Sequence, residues 1–170
     1  MFGRAVLGVD PGLAATGLAV VGTRDGRPEV SWAYTLRTPA GLPEPLRLRL
    51  VHAQVVDAIS EHHPGAVAIE RVMWGRNVGS AMTVARATGV AMLAAADAGL
   101  PVEEYAPLEV KMAVAGVGNA GKEQVRLALA RLHGLAAVPE QRDAADAVAV
   151  ALCHLQQSRL RDVVRIGGGR

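Results

Sequence analysis

Apolar and polar positions alternate over the first forty residues and then take up a helical period. Val6-Leu7-Gly8-Val9 and Ala15-Thr16-Gly17-Leu18-Ala19-Val20-Val21 flank a Pro11-Gly12 breaker, which predicts two antiparallel strands joined by a tight connection. Beyond the Asp25-Gly26 pair, residues 30–36 alternate well enough for a third strand, so the segment reads as an antiparallel meander. Residues 38–45, rich in Pro and Gly, read as a loop. Leu48, Val51, Val55 and Ile59 then recur at helical spacing until His62-His63-Pro64-Gly65 ends the first helix.

The remainder alternates strand and helix before turning wholly helical. Residues 66–69 form a short buried strand without a polar side chain. Residues 77–98 form a helix of small residues, Ala81, Ala85, Gly89 and Ala96 among Met82, Met92 and Leu93, closed by Gly99. Its small faces suit close packing either on the domain's own sheet or on a second copy. Residues 102–105 predict a strand and 107–114 a short helix carrying Lys111. One helix then runs to His133-Gly134, and another covers about 141–157. The closing Gly167-Gly168-Gly169-Arg170 reads as a tail.

Composition narrows the class without naming a partner. The 170 residues suit a single domain with a core of its own, and 51% hydrophobic against 20% charged residues excludes wholesale disorder. Of 18 basic residues, only Lys111 and Lys122 are Lys, and the net charge of +2 gives no strong general field for nucleic acid. The single Cys153 excludes internal disulfides and sits in an apolar helical pattern, as a buried inert thiol would. The start of the chain lacks a signal-peptide pattern, and the longest apolar-rich run, residues 89–98, is too short to span a bilayer. The expectation is therefore a cytoplasmic protein without a membrane role.

Four acids carry the candidate chemistry. Asp10 ends the first strand, held in extended geometry by Pro11, and is either a turn-former or a metal ligand. Glu70 ends the fourth strand in the same way. Asp143 and Asp146, three apart in the first turns of the last helix, share a face and could equally be partners of the helix dipole. Together they offer hard oxygen ligands without Cys or an ordered His cluster, a set that suits Mg²⁺ or Mn²⁺. Four acids can hold two ions about 4 Å apart, the arrangement that stabilises the attacking and leaving oxygens in phosphodiester hydrolysis. His62 and His63, by contrast, read as partners of the last carbonyls of their helix. Gly116-Val117-Gly118-Asn119-Ala120-Gly121-Lys122 is not a P-loop, because Glu123 follows Lys122 and the first Gly is missing. A basic residue at a helix start near a phosphodiester fits it better.

The chain resembles the RuvC family of Holliday-junction resolvases over nearly its whole length. The resemblance rests on Leu7-Gly8-Val9-Asp10-Pro11-Gly12 with Thr16-Gly17, and on Ala68-Ile69-Glu70 followed by Asn77 and Ser80-Ala81. It continues through Glu104-Tyr105-Ala106 with Val110-Lys111 and Gly116-Val117-Gly118 with Lys122 and Gln124-Val125. Asp143-Ala144-Ala145-Asp146-Ala147 with His154 completes it. It implies an α/β, RNase H-like fold, a mixed five-stranded sheet flanked by helices, with a nuclease domain over 1–158 and a basic, Gly-rich tail over 159–170. The implied activity is endonucleolytic cleavage of four-way DNA junctions in recombination and repair, by a homodimer that cuts symmetrically related strands. The implied metal ligands and catalytic residues are Asp10, Glu70, Asp143 and Asp146, holding two Mg²⁺ or Mn²⁺ ions. Lys111 and Lys122 would contact phosphate or assist the cleavage chemistry, and a branch-migration helicase would be a partner. The helix from Asn77 would lie at or near the dimer interface.

One position departs from the family pattern. Three residues after Glu70 the family commonly carries an aromatic residue thought to help open the junction, whereas here Met73 stands there and Trp74 follows. Met73, Trp74, Arg76 and Asn77 still form a reasonable strand-contacting loop, with Trp74 as a packing residue the alternative. Rival readings are a nuclease for ribosomal RNA precursors, which would be shorter in the middle and monomeric, and a junction-binding scaffold without cleavage, which the four acids argue against. An actin-like nucleotide-binding fold needs two domains and does not fit 170 residues.

Overall fold

The breaker at Pro11-Gly12 turns the chain back so that β1 (Gly3–Asp10) and β2 (Ala15–Arg24) pair antiparallel, with Asp10 opposite Gly17. The computed structural model describes residues 3–73, 78–135 and 138–167. β2 continues into β3 (Arg27–Arg37) through a two-residue connection whose Asp25 and Gly26 have φ of 51° and 80°. Positive φ at both central residues matches the twist of a hairpin, and Asp-Gly supplies it at low cost. The three-stranded meander read from the sequence is thus present, with β2 and β3 longer than predicted.

α1 (Glu44–His62) carries the chain across to β4 (Ala66–Glu70), which lies parallel to β1 with Val9 opposite Ile69. α2 (Val78–Asp97) repeats the move to β5 (Val102–Tyr105), parallel to β4 with Glu70 opposite Tyr105. The sheet order is β3-β2-β1-β4-β5. β1, β3, β4 and β5 run in one direction and β2 in the other, so Asp10, Arg37, Glu70 and Tyr105 all end at one edge of the sheet.

Alternation along the central strands builds two cores. Leu7, Val9, Leu18, Val20, Val67 and Ile69 face α1 and α2 and pack with Val55, Ala91 and Ala94. Val6, Ala19, Val21 and Ala68 face the opposite layer, made by α3 (Pro107–Ala115), α4 (Lys122–Arg131) and α5 (Arg142–Gly167). The second layer depends on two glycines. A Cβ at Gly8 would collide with the Ala147 carbonyl oxygen, and one at Gly17 with the Asp143 carbonyl oxygen. Their bareness lets α5 press its first turns onto β1 and β2, which brings the acids of that helix to the edge where β1 and β4 end.

Three expectations need correction. α5 runs to Gly167 rather than ending near residue 157, because residues 158–166 contain neither Gly nor Pro to stop it. The expected division at residue 158 therefore falls within a helix, and the last three residues of the tail lie outside the described residues. His62 packs its ring against Trp32 with centroids 4.8 Å apart instead of meeting the last carbonyls, and His63 ends α1 in the left-handed region, its backbone N–H donating to Ile59 O. The apolar run judged too short for a bilayer belongs to α2, whose 20 residues are long and apolar enough to cross one. α2 instead buries Ala81, Ala87, Ala91, Ala94 and Ala95, and Arg86 pairs with Glu44 of α1 at 2.5 Å.

Candidate active site

Parallel pairing of β1 and β4 delivers Asp10 and Glu70 side by side. The two carboxyls share a hydrogen bond at the floor of a cavity of about 250 Å³ lined also by Lys111, Lys122 and Asp146. Burial, then the charges of Glu70 and Asp146, push Asp10 up to about 8, with Lys122 pulling weakly the other way. Glu70 is also raised, by burial first and then by Asp146, against the lowering effects of the Asp10 hydrogen bond, Lys122 and Lys111. The pair therefore holds a proton between its two carboxyls at neutral pH, favoured on Asp10.

The helix acids are held differently. Asp146 accepts a 2.6 Å hydrogen bond from Lys122 Nζ, the first residue of α4, and that contact is the main reason the Lys122 ammonium is stabilised. The start of α4 is fixed by Gln124, whose Oε1 accepts from the Gly121 backbone N–H at 2.8 Å, much as Glu109 caps α3 through the Ala106 N–H at 2.7 Å. Lys111 and Lys122 thus project from capped helices. Asp143 stands apart from the cavity lining and faces Arg37, whose guanidinium lies 3.8 Å from its Oδ2.

Of the sequence-predicted residues, Asp10, Glu70, Asp146, Lys111 and Lys122 converge, and Asp143 flanks them. Met73 is 60% exposed and lines a second groove of about 480 Å³ that opens from Asp10 and Glu70 and also touches Arg71, Ser80 and Pro107. Trp74, Arg76 and Asn77 lie outside the described residues. Arg37 and Arg71 escaped the sequence reading. Arg37 could have been found by counting strand directions, since the end of the third strand shares an edge with the first. Cys153 is buried with its thiol pushed up to about 11 by burial, as an inert thiol should be.

The donor set fits a hard divalent cation. It consists of carboxylates alone, and a half-buried acid pair that holds on to a proton at neutral pH is a site where a cation could take that proton's place. Among the described residues no three His, Cys, Asp or Glu side chains already close on a single ion position. The Lys122 contact explains this at Asp146, whose carboxylate already holds an ammonium.

The model of the crossover junction endodeoxyribonuclease RuvC family matches residues 6–154. A protein of that name from Syntrophomonas wolfei is 45% identical over 155 residues, covering 91% of this chain and 90% of the relative. Among solved structures, Thermus thermophilus RuvC in complex with a Holliday junction substrate superposes with a TM-score of 0.85 at 35% identity. The match covers 92% of this chain and 96% of that one. A yeast mitochondrial Holliday junction resolvase superposes with a TM-score of 0.68 at 15% identity, covering 94% and 81%, a likeness of fold. The mixed five-stranded sheet with its flanking helices is accordingly RNase H-like, as expected from the sequence.

Proposed function

The chain belongs to the RuvC family of crossover junction endodeoxyribonucleases and is a Holliday-junction resolvase; we propose that it nicks four-way DNA junctions by two-metal-ion phosphodiester hydrolysis, symmetrically, as a homodimer. The observation that carries this reading is the convergence of Asp10, Glu70 and Asp146 with two lysines in one cavity at the sheet edge. Asp10, Glu70, Asp143 and Asp146 would hold the ions, Mg²⁺ or Mn²⁺. When bound, divalent ions supply Lewis-acid stabilisation of charge on the attacking and leaving oxygens.

The chain's own groups do the rest. Asp10 and Glu70 end two paired parallel strands inside the sheet, so their oxygens are placed by the sheet rather than by a loop. Lys111 and Lys122 stand above them and give a phosphodiester two point charges that fix its depth in the cavity. Met73 and the groove behind it receive the neighbouring nucleotides, with Trp74, Arg76 and Asn77 completing the strand-contacting loop.

The dimer reading is supported by α2. Its outer face presents Met82 and Leu93, 46% and 55% exposed, with the small Ala85 and Gly89 between them, a surface on which a second copy could approach closely. Association with a branch-migration helicase belongs to the same reading and rests on the family resemblance, whereas a cytoplasmic location carries over from the sequence expectation.

Incubation with labelled four-way junction, linear duplex and structured RNA in Mg²⁺ tests the proposal. Paired nicks at symmetric positions in the junction, with duplex and RNA left intact, are expected. Cleavage of structured RNA in preference to the junction would overturn it.

A further inference from the structure

Arg37 is a charged strand-end residue at the catalytic edge that the scheme above leaves without a role. Its backbone is tightly held. It pairs in register with Ala15, and the next residue, Thr38, is buried, donates its hydroxyl to Leu13 O at 2.5 Å and its N–H to Ala14 O at 3.2 Å, and accepts from Arg47 Nε at 2.8 Å. The guanidinium itself is largely in solvent. It is 72% exposed, and its 3.8 Å separation from Asp143 Oδ2 is an ion pair too long to be a hydrogen bond. An exposed pair of this kind adds little stability and exchanges easily.

The two helix acids are therefore each matched by one cation, Asp146 by Lys122 and Asp143 by Arg37, the two cations coming from separate elements. Only the arginine has the planar fork that grips a phosphate with two parallel donors. We infer that Arg37 is a positioning residue of the cleavage reaction: it holds Asp143 until a divalent cation takes that carboxylate, and its guanidinium then passes to a backbone phosphate of the junction. The inference rests on the junction-cleavage reading.

Arg37→Gln and Arg37→Lys distinguish the possibilities, with wild type as the reference for the parent reading. In Ca²⁺, which should support binding without cutting, Arg37→Gln should lower the logarithmic salt slope of junction binding by about one, while Arg37→Lys keeps the slope. By calorimetry without DNA, Arg37→Gln should bind Mn²⁺ severalfold more tightly than wild type, because the competing cation on Asp143 is gone. Melting temperatures should be unchanged, as befits an exposed pair. An unchanged salt slope in Arg37→Gln, or unchanged or weakened Mn²⁺ binding, overturns the inference while wild type still cuts junctions. Failure of wild type to cut junctions overturns the parent reading instead.

Discussion

The two acids carried by strands and the two carried by a helix reach the same edge of the sheet by different physics. Asp10 and Glu70 are half-buried against each other, with no ion pair to a cation among the described residues, and their mutual repulsion and desolvation are absorbed by a proton. Asp143 and Asp146 lie in the first turns of α5, where each has a cation within 4.0 Å. The strand pair is set by the sheet, and its nearby lysines do not neutralise it. The helix pair is already neutralised, by partners that can leave. A divalent ion therefore gains most from the first pair and must displace something at the second.

The largest effect should come from removing a strand acid. Asp10→Asn or Glu70→Gln is expected to lower junction cleavage by at least about 10³-fold, on the order of 4 kcal/mol of transition-state stabilisation, while junction affinity in Ca²⁺ stays within about tenfold. A larger loss of binding would give these acids a structural role. Asp143→Asn and Asp146→Asn should also abolish cutting, and full activity in either would remove that residue from the ion site. If metal-free Asp10→Asn melts higher than wild type while Asp146→Asn does not, the contrast between the pairs is sharpened.

Next comes the seat of α5. Gly17→Ala should push the helix off β2 and displace Asp143, with a cost of about 2 kcal/mol or more in stability from the forced overlap. Urea unfolding checks this, and a fully stable, fully active Gly17→Ala would show that close approach is not what sets the acids.

A smaller, pH-dependent effect separates the pairs further. Asp10 has a folded-state value of about 8 against an ordinary 3.8, so the folded protein holds a proton that the unfolded chain releases. Its contribution is fully present below about pH 4 and is lost as pH rises towards 8. Metal-free protein should thus show a melting temperature that falls across this window, and Asp10→Asn should flatten that fall. An equal slope in both proteins would assign the pH dependence elsewhere.

Lys111 and Lys122 should give the next effect. Replacing either with Gln should reduce the logarithmic salt slope of junction binding by about one without altering sequence preference. The smallest expected effect is at the loop after β4. Trp74→Ala should slow cleavage of fully paired junctions more than of junctions pre-opened by crossover mismatches, with Met73→Ala as the comparison.

Much of this is legible in the sequence alone. β-branched runs that stop at Asp10 and Glu70 place both acids at strand ends, and the Asp143–Asp146 spacing places the others on one helix. What periodicity does not convey is where the last helix packs. The meander puts the end of β3 at the edge where β1 ends, but Arg37 becomes a neighbour of Asp143 only because α5 lays its first turn on β2, a relation fixed by tertiary packing. The requirement for Gly8 and Gly17 is likewise hidden, since each is bare for the sake of a helix about 130 residues further along the chain. The overrun of α5 past residue 157 shows the opposite case, where local propensity alone was sufficient.

Proton release on ion binding tests the central claim most directly. Mg²⁺ titrated into the protein at pH 7, in buffers of different ionisation enthalpy, should expel about one proton per site, because Asp10 is protonated there and must ionise to bind. The release should fade above about pH 9 and vanish in Asp10→Asn. Ion binding at pH 7 without proton release, or with the same release in Asp10→Asn, would contradict the account of the strand-end pair as the seat of the metal.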